Sequence, residues 1–194
     1  MAVQNPTPTT ELEAVNQMLR GIGESPVSSL IDDYGLDVPD ATGTLSEISN
    51  AVQLEGWIFN TEYDYPLPVN VDGEIHVPSN ALNVDFDWRT CGGSEPVVRG
   101  RRVYDRKGHT YKLDRGLKAK IIFGLPFEEL PEAARYYITY RACRKFQDTQ
   151  AGSNDLHRFS EADELRARWT FIEQHSDDQD LNMLRDTPEF SHLR

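Results

Sequence analysis

The chain has few of the residues that covalent chemistry is built from. Its only cysteines are Cys91 and Cys143. Neither sits in a C-x-x-C pair, and two thiols do not make a disulfide framework. A reducing cytoplasm suits such a composition as the place of synthesis and assembly. The five histidines, His76, His109, His157, His175 and His192, are scattered. None belongs to an H-x-H or H-E-x-x-H arrangement, so no zinc site is indicated. The motifs G-x-S-x-G, G-x-x-x-x-G-K-S/T and G-x-G-x-x-G are missing, and no cofactor is expected. No run approaches the ~20 apolar residues of a membrane span. Met1 to Thr9 has neither a basic n-region nor an apolar h-region, so no signal peptide is expected. Basic residues are also scarce: 20 Lys and Arg stand against 32 Asp and Glu, a net charge of -12. Nucleic-acid-binding modules draw their affinity from cations that neutralise phosphates, so this balance argues against one. It is compatible with a negative wall that DNA passes without sticking.

What is present is a globular composition. Of 194 residues, 38% are apolar and 27% charged, enough for one domain or two small ones with a real core. The best-marked element lies between Thr10 and Leu30. Leu12, Val15, Met18 and Leu19, with Ile22 just beyond, recur at helical spacing between polar residues. Thr10 and Glu13 have the form of a capping box, and Gly21 and Gly23 supply the stop. Gly21-Ile22-Gly23 has no strand before it and is not a phosphate loop. A second helix is expected over Asp40 to Glu55, with Leu45, Ile48, Val52 and Leu54 inward. Gly43 weakens its first turn.

From Trp57 the period changes. Trp57, Phe59, Tyr63 and Tyr65 alternate with polar residues until Pro66 and Pro68 intervene. Leu82, Val84, Phe86 and Trp88 alternate with Asn83, Asp85 and Asp87, the pattern of a half-buried strand. Val97 to Asp105 and Thr110 to Asp114 read as a hairpin. Arg106 to His109 would turn it, with Gly108 at positive φ. Lys118 to Leu125 is a further strand. A third helix follows Pro131, its apolar side made of Leu130, Ala134, Tyr137, Ile138 and Ala142. After a break at Gly152 to Asp155, a fourth runs to about His175, with Leu156, Phe159, Ala162, Leu165, Trp169 and Ile172 on one side.

The expected class is α+β: a four-helix bundle formed by residues 10–56 and 126–175, an inserted antiparallel β region at 57–125, and a polar C-terminal tail at 176–194.

Four groups invite a chemical reading. Asp85 and Asp87, at i and i+2 on a strand, would lie on one face roughly 7 Å apart. That spacing could hold a divalent cation or serve as a glycosidase pair. Alternation alone also explains them, as the solvated face of the strand. Glu128, Glu129 and Glu132 at a helix start could be acid/base groups, but compensation of the helix dipole is the ordinary role for such residues. Cys143 beside Arg144 could be activated, yet a small buried thiol is the simpler reading. Arg141, Arg144 and Lys145 form a basic stripe. It could meet phosphates, an acidic neighbouring subunit, or only solvent, and in a chain this acidic a subunit contact is favoured over nucleic acid.

The order of blocks along the chain resembles a known family. A capped helix followed by I-G-E-S-P-V-S and a leucine is similar to the start of the tail tubular A proteins of T7-like short-tailed bacteriophages. Glu55 to Asn60 resembles the family's G-W-x-F-N segment. Val103 to Arg106, Asp114-Arg115-Gly116 and Lys120 to Leu125 resemble its central β region. Leu130-Pro131-Glu132, Arg135 to Ile138 and Arg144 to Phe146 resemble its third helix, while Glu161 to Arg168 and Leu181 to Leu184 resemble its C-terminal part. Ile31 to Thr44 and Asn70 to Glu95 depart from the pattern.

The resemblance implies a structural virion protein with no enzymatic role. It would be a head-to-tail adaptor that assembles in the host cytoplasm and resides in the virion tail. Its ring, a homo-dodecamer, would join the portal protein to the tail nozzle protein and form part of the DNA ejection conduit. Double-stranded DNA would pass without specific binding, and no membrane would be involved. Leu181, Met183, Leu184 and Phe190 are the candidate portal-docking anchors of the tail. The alternative reading is a virion-associated glycan hydrolase acting on the host envelope, resting on Asp85, Asp87 and the Glu128 group.

Overall fold

The structure, a computed structural model, describes residues 7–31, 37–150 and 161–176. Its helices are α1 (Glu11–Gly21), α2 (Val38–Gln53), α3 (Glu132–Gln150) and α4 (residues 161–176). Its strands are β1 (Thr61–Leu67), β2 (Ala81–Phe86), β3 (Pro96–Arg99), β4 (Arg102–Asp105) and β5 (Leu117–Phe123). Short 3-10 turns cover Ile58–Asn60 and Phe127–Glu129. The chain divides into two compact units. One comprises Met1–Val52 with Pro126–Arg194, the other Gln53–Leu125.

In the helical unit, α1 starts where its sequence signals it. Glu13 N donates to Thr10 Oγ1 at 3.2 Å, and Thr10 N donates back to Glu13 Oε2 at 2.9 Å. This reciprocal pair satisfies two amides that a helix start otherwise leaves open. At the other end Gly23 takes φ 87° while Glu24 N and Gly23 N bond back to Leu19 O and Arg20 O. Gly21 is still helical, and its lack of a side chain admits Gln147: a Cβ there would lie 2.6 Å from Gln147 Nε2. Ala14, Val15, Met18 and Leu19 form the buried face. On α2 the buried apolar residues are Val38, Ala41, Leu45, Ile48 and Val52, and α2 begins two residues before the expected Asp40; Leu54, expected inward, lies past its end and is 51% exposed. Ala134, Tyr137, Ile138, Ala142 and Phe146 are buried along α3.

The expected four-helix bundle is not found. The four helices form no clear bundle, and the five strands between α2 and α3 divide them along the chain. A four-helix bundle packs its helices alongside one another, about 20° from parallel, around one shared core. Here α1 has 11 residues and α3 has 19, about 16 Å against about 28 Å. Among α1, α2 and α3, the extended helix pairing is α1 on α3. The reading of α4 is corrected as well. Ala167 and Phe171 are its buried residues, whereas Leu165 is 51% and Trp169 69% exposed. Helical periodicity identified the helix but not which side faces the core. Leu156 and Phe159 lie outside the described residues.

The β unit contains a three-stranded antiparallel sheet in the order β1-β5-β2 and a β3-β4 hairpin. β5 is central, so both its edges are hydrogen-bonded; Leu117, Ala119, Ile121, Ile122 and Phe123 are buried, while Lys118 is exposed. Pro66 is tolerated because β1 is an edge strand. A bulge between Glu62 and Tyr65 is marked by Asp64 at φ 52°. Leu67, Ile75, Val77, Val103, Leu113 and β5 residues make the core.

Three local expectations change. Trp57 and Phe59 do not start a strand, because Ile58–Asn60 is a 3-10 turn. The hairpin turns at Gly100 and Arg101, with Gly100 at φ 64°, and Thr110 reaches Asp105 only by an isolated bridge. In the Arg106 to His109 loop the positive φ belongs to His109, at 53°, and not to Gly108.

Candidate functional site

Each residue of the basic stripe on α3 has an intramolecular neighbour. Arg144 Nε lies 2.5 Å from Glu164 Oε2 on α4; the two are close as an ion pair but not aligned as a hydrogen bond. Lys145 Nζ lies 2.5 Å from Glu47 Oε1 on α2. Arg141 Nη1 donates to the Tyr137 hydroxyl at 3.3 Å, with its guanidinium 6.0 Å from that ring. The stripe therefore ties α3 to α2 and α4. The Arg144 and Glu164 side chains are mostly covered, while Lys145 and Glu47 are 42% and 66% exposed. Leu181, Met183, Leu184 and Phe190 lie outside the described residues.

The glutamates near the start of α3 hold the chain before α1. Glu132 accepts from Thr9 N at 2.9 Å and from Thr9 Oγ1 at 2.6 Å. Glu128 Oε1 accepts from Glu11 N, the first amide of α1, at 2.9 Å. Carboxylates there also oppose the positive end of the α1 dipole. Arg135 completes the group from a buried position. Its guanidinium donates to Leu130 O at 2.8 Å, to Thr9 O at 2.9 Å and to Glu128 O, and approaches Glu128 Oε2 at 3.4 Å. Sequence reasoning missed Arg135, because a single arginine on a helix gives no sign of being buried.

Asp85 and Asp87 do not share one role. Asp85 is exposed on β2 and opposite Lys120 in the ladder, an opposite-charge cross-strand pair. Asp87 follows the strand and organises a turn. Its carboxylate accepts from Arg89 N at 3.0 Å, and its carbonyl accepts from Thr90 N, Thr90 Oγ1 and Cys91 Sγ. Trp88, expected on the inner face, is 77% exposed beyond the end of β2. A cleft of about 800 Å³ runs between β2 and β3, lined by Val84, Phe86, Trp88, Pro96 and Val97.

Two further groups in the β unit carry structural weight. Asp105 accepts from Glu95 N at 2.8 Å and Lys107 N at 3.0 Å. These backbone donors, led by Glu95, hold its carboxyl below the usual carboxylate range. Asn60, only 3% exposed, donates from Nδ2 to Gln53 O and Phe123 O, both at 2.9 Å, and accepts from Trp57 N at 2.9 Å. Beside it the Gln53 amide donates to Leu125 O at 3.1 Å and accepts from Leu125 N at 2.7 Å. Gly56, at φ 80°, lies where a Cβ would meet Ile122 Cδ1 at 2.8 Å. The G-W-x-F-N segment thus encodes a turn and a clasp.

Neither thiol is poised for reaction. Burial pushes Cys143 up to about 12, and burial followed by the charge of Asp87 raises Cys91. His76 lies 3.3 Å from Glu74, which also pairs with Arg102 at 3.0 Å. Among the described residues, no group of three or more His, Cys, Asp or Glu could hold a metal ion. No described helix is long and apolar enough to cross a membrane.

These polar groups hold backbone in place or present charge at the surface, as in a structural protein that works through contacts. Residues 12–181 match the family described as Tail tubular protein, and the chain belongs to that family. It is 28% identical over 152 residues to Tail tubular protein A of Klebsiella phage KP34, an alignment covering 78% of this chain and 79% of the relative. The chain is therefore a structural component of a phage tail, an assembly it builds with other phage proteins.

Proposed function

We propose that this protein is the ring-forming adaptor of the tail, joining the portal to the nozzle and contributing part of the conduit for DNA ejection. The observation that carries the reading is the family match, which spans residues 12–181 and so includes both units. In the virion the ring is a homo-dodecamer, assembled in the host cytoplasm.

Charge distribution supports the conduit role. Between Gln53 and Leu125 there are ten Lys and Arg and ten Asp and Glu, so the β unit is neutral. The other unit holds the remaining ten basic and 22 acidic residues, which is the whole net charge of -12. A unit so charged repels phosphates and keeps DNA moving. Lys145, exposed beside Glu47, is the member of the basic stripe best placed to exchange its partner for a carboxylate of an adjacent subunit. Arg144 and Arg141 back that contact from more covered positions. Leu181, Met183, Leu184 and Phe190 serve as anchors for portal.

The test is reconstitution of purified chain with portal, read by electron microscopy. Rings should form with portal, and deletion of residues 177–194 should abolish docking while leaving the thermal melt unchanged. A truncated chain that joins portal with the parent's affinity would move the docking surface elsewhere. Absence of rings with portal and nozzle together would refute the adaptor reading.

A further inference from the structure

Helix α4 has two apolar faces. One is in use: Ala167 and Phe171 are buried, and the Phe171 ring stacks 5.8 Å from that of Tyr137 on α3. The other consists of Ala162, Leu165, Trp169 and Ile172, recurring at intervals of three, four and three. That is the a/d pattern of two heptads. Positions 165 and 167 are about 200° apart around a helix, so no rotation of α4 buries both sets in one core. Ala162 is exposed, Leu165 and Trp169 are 51% and 69% exposed, and Ile172 is half-buried. The flanking e and g positions hold Glu161, Arg166, Arg168 and Glu173, all exposed.

We propose that α4 pairs with α4 of a second copy of this chain, antiparallel, about a two-fold axis near residue 167. The flanking charges choose this occupant. In an antiparallel pair g residues meet g residues and e residues meet e residues. Glu161 then faces the partner's Arg168, and Arg166 faces the partner's Glu173. Symmetry repeats both contacts, so all four join opposite charges. Arg166 pairs with Asp163 at 3.1 Å on its own helix, an exposed contact that is weak and readily exchanged.

Side-chain size chooses the direction. Antiparallel packing sets small Ala162 against the partner's Ile172, and Leu165 against the partner's Trp169. A parallel pair would stack the two bulkiest side chains in one layer and the two smallest in another. A two-fold contact uses the same patch on both copies and closes on itself, unlike the head-to-tail contacts of a ring. It covers the stripe on free subunits without starting a filament. The inference stands on α4 alone and does not depend on the adaptor reading.

Sedimentation equilibrium of the full chain over a range of concentrations tests it. A monomer–dimer equilibrium is expected. Trp169→Glu and Leu165→Glu should each weaken it about tenfold or more with an unchanged circular dichroism spectrum, since both side chains are exposed in the monomer. Glu161→Arg with Glu173→Arg should weaken self-association, as should Arg166→Glu with Arg168→Glu, and mixing the two double variants should restore a heterodimer. Leu165→Cys mixed with Trp169→Cys should form a disulfide-linked dimer beyond the background of Cys91 and Cys143, and neither variant alone should. A chain that stays monomeric, a dimer indifferent to Trp169→Glu, or cross-linking of either cysteine variant by itself would overturn the proposal.

Discussion

Replacing Asn60 with alanine should be among the most damaging single changes in the β unit. The side chain is 3% exposed and makes three hydrogen bonds, to Trp57 N, Gln53 O and Phe123 O. A typical intramolecular hydrogen bond contributes about 1 kcal/mol net, and a buried polar group left without a partner costs about 1–3 kcal/mol. The expected loss is therefore about 3 kcal/mol, a large part of the ~5–15 kcal/mol that stabilises an ordinary domain. For a chain of this size that is about 6–12 °C in melting temperature.

Asn60→Asp separates the bonds. It keeps the acceptor for Trp57 N but replaces the donor with a charged oxygen facing two carbonyls, so it should be no better than alanine at neutral pH. Gln53→Ala removes the two bonds to Leu125 and should cost about 2 kcal/mol. Urea denaturation followed by circular dichroism and by tryptophan emission measures all three. Asn60→Ala within about 0.5 kcal/mol of the parent, the range of ordinary surface changes, would refute the reasoning. So would an Asn60→Asp variant as stable as the parent.

Arg135→Ala strips donors from Thr9 O, Leu130 O and Glu128. It should cost about 2–4 kcal/mol and expose amides at the start of α1 to hydrogen exchange, whereas Arg135→Lys should recover only part of the loss. Cys143 should resist thiol reagents at pH 8 until the chain is denatured, as release of thiol absorbance over time would show. Its pKa is raised in the fold from the ordinary 9.0 to about 12. Its contribution to stability is thus fully present below pH 9 and is lost as pH rises toward 12, because the unfolded chain ionises first. In thermal melts between these limits, Cys143→Ala should show a shallower fall with pH than the parent.

What could be read from the sequence follows from the range of the forces involved. The start of α1 was legible because a capping box is local: Thr10 and Glu13 bond to each other's backbone, and nothing distant decides it. The strand at β5 was legible from the apolar residues Ile121, Ile122 and Phe123 at its end, which suit a sheet interior. The bundle was not there to be read. Periodicity marks a helix, yet on α4 the conspicuous stripe is exposed and the core is met by Ala167 and Phe171. Only tertiary context decides that. The same limit hid the glutamates' partners: Glu128 and Glu132 looked like dipole compensation for their own helix, while their carboxylates reach Thr9 and Glu11 more than a hundred positions away. Asp87 looked like half of a pair because alternation was extended past the last residue of β2.

The Gln53–Leu125 clasp has a consequence for how such a protein can diversify. Two hydrogen bonds between one side chain and one backbone mean that the chain leaves for the β unit and returns from it at nearly the same point. Everything between those residues is, topologically, a very long loop with its ends already together. A few residues could close the gap between Val52 and Pro126, since the cost of joining ends depends on their separation and only weakly on what the loop contains. A cassette bounded in this way can be lengthened, shortened or exchanged between lineages without recutting the host. Selection can then alter one unit while the other keeps its own contacts.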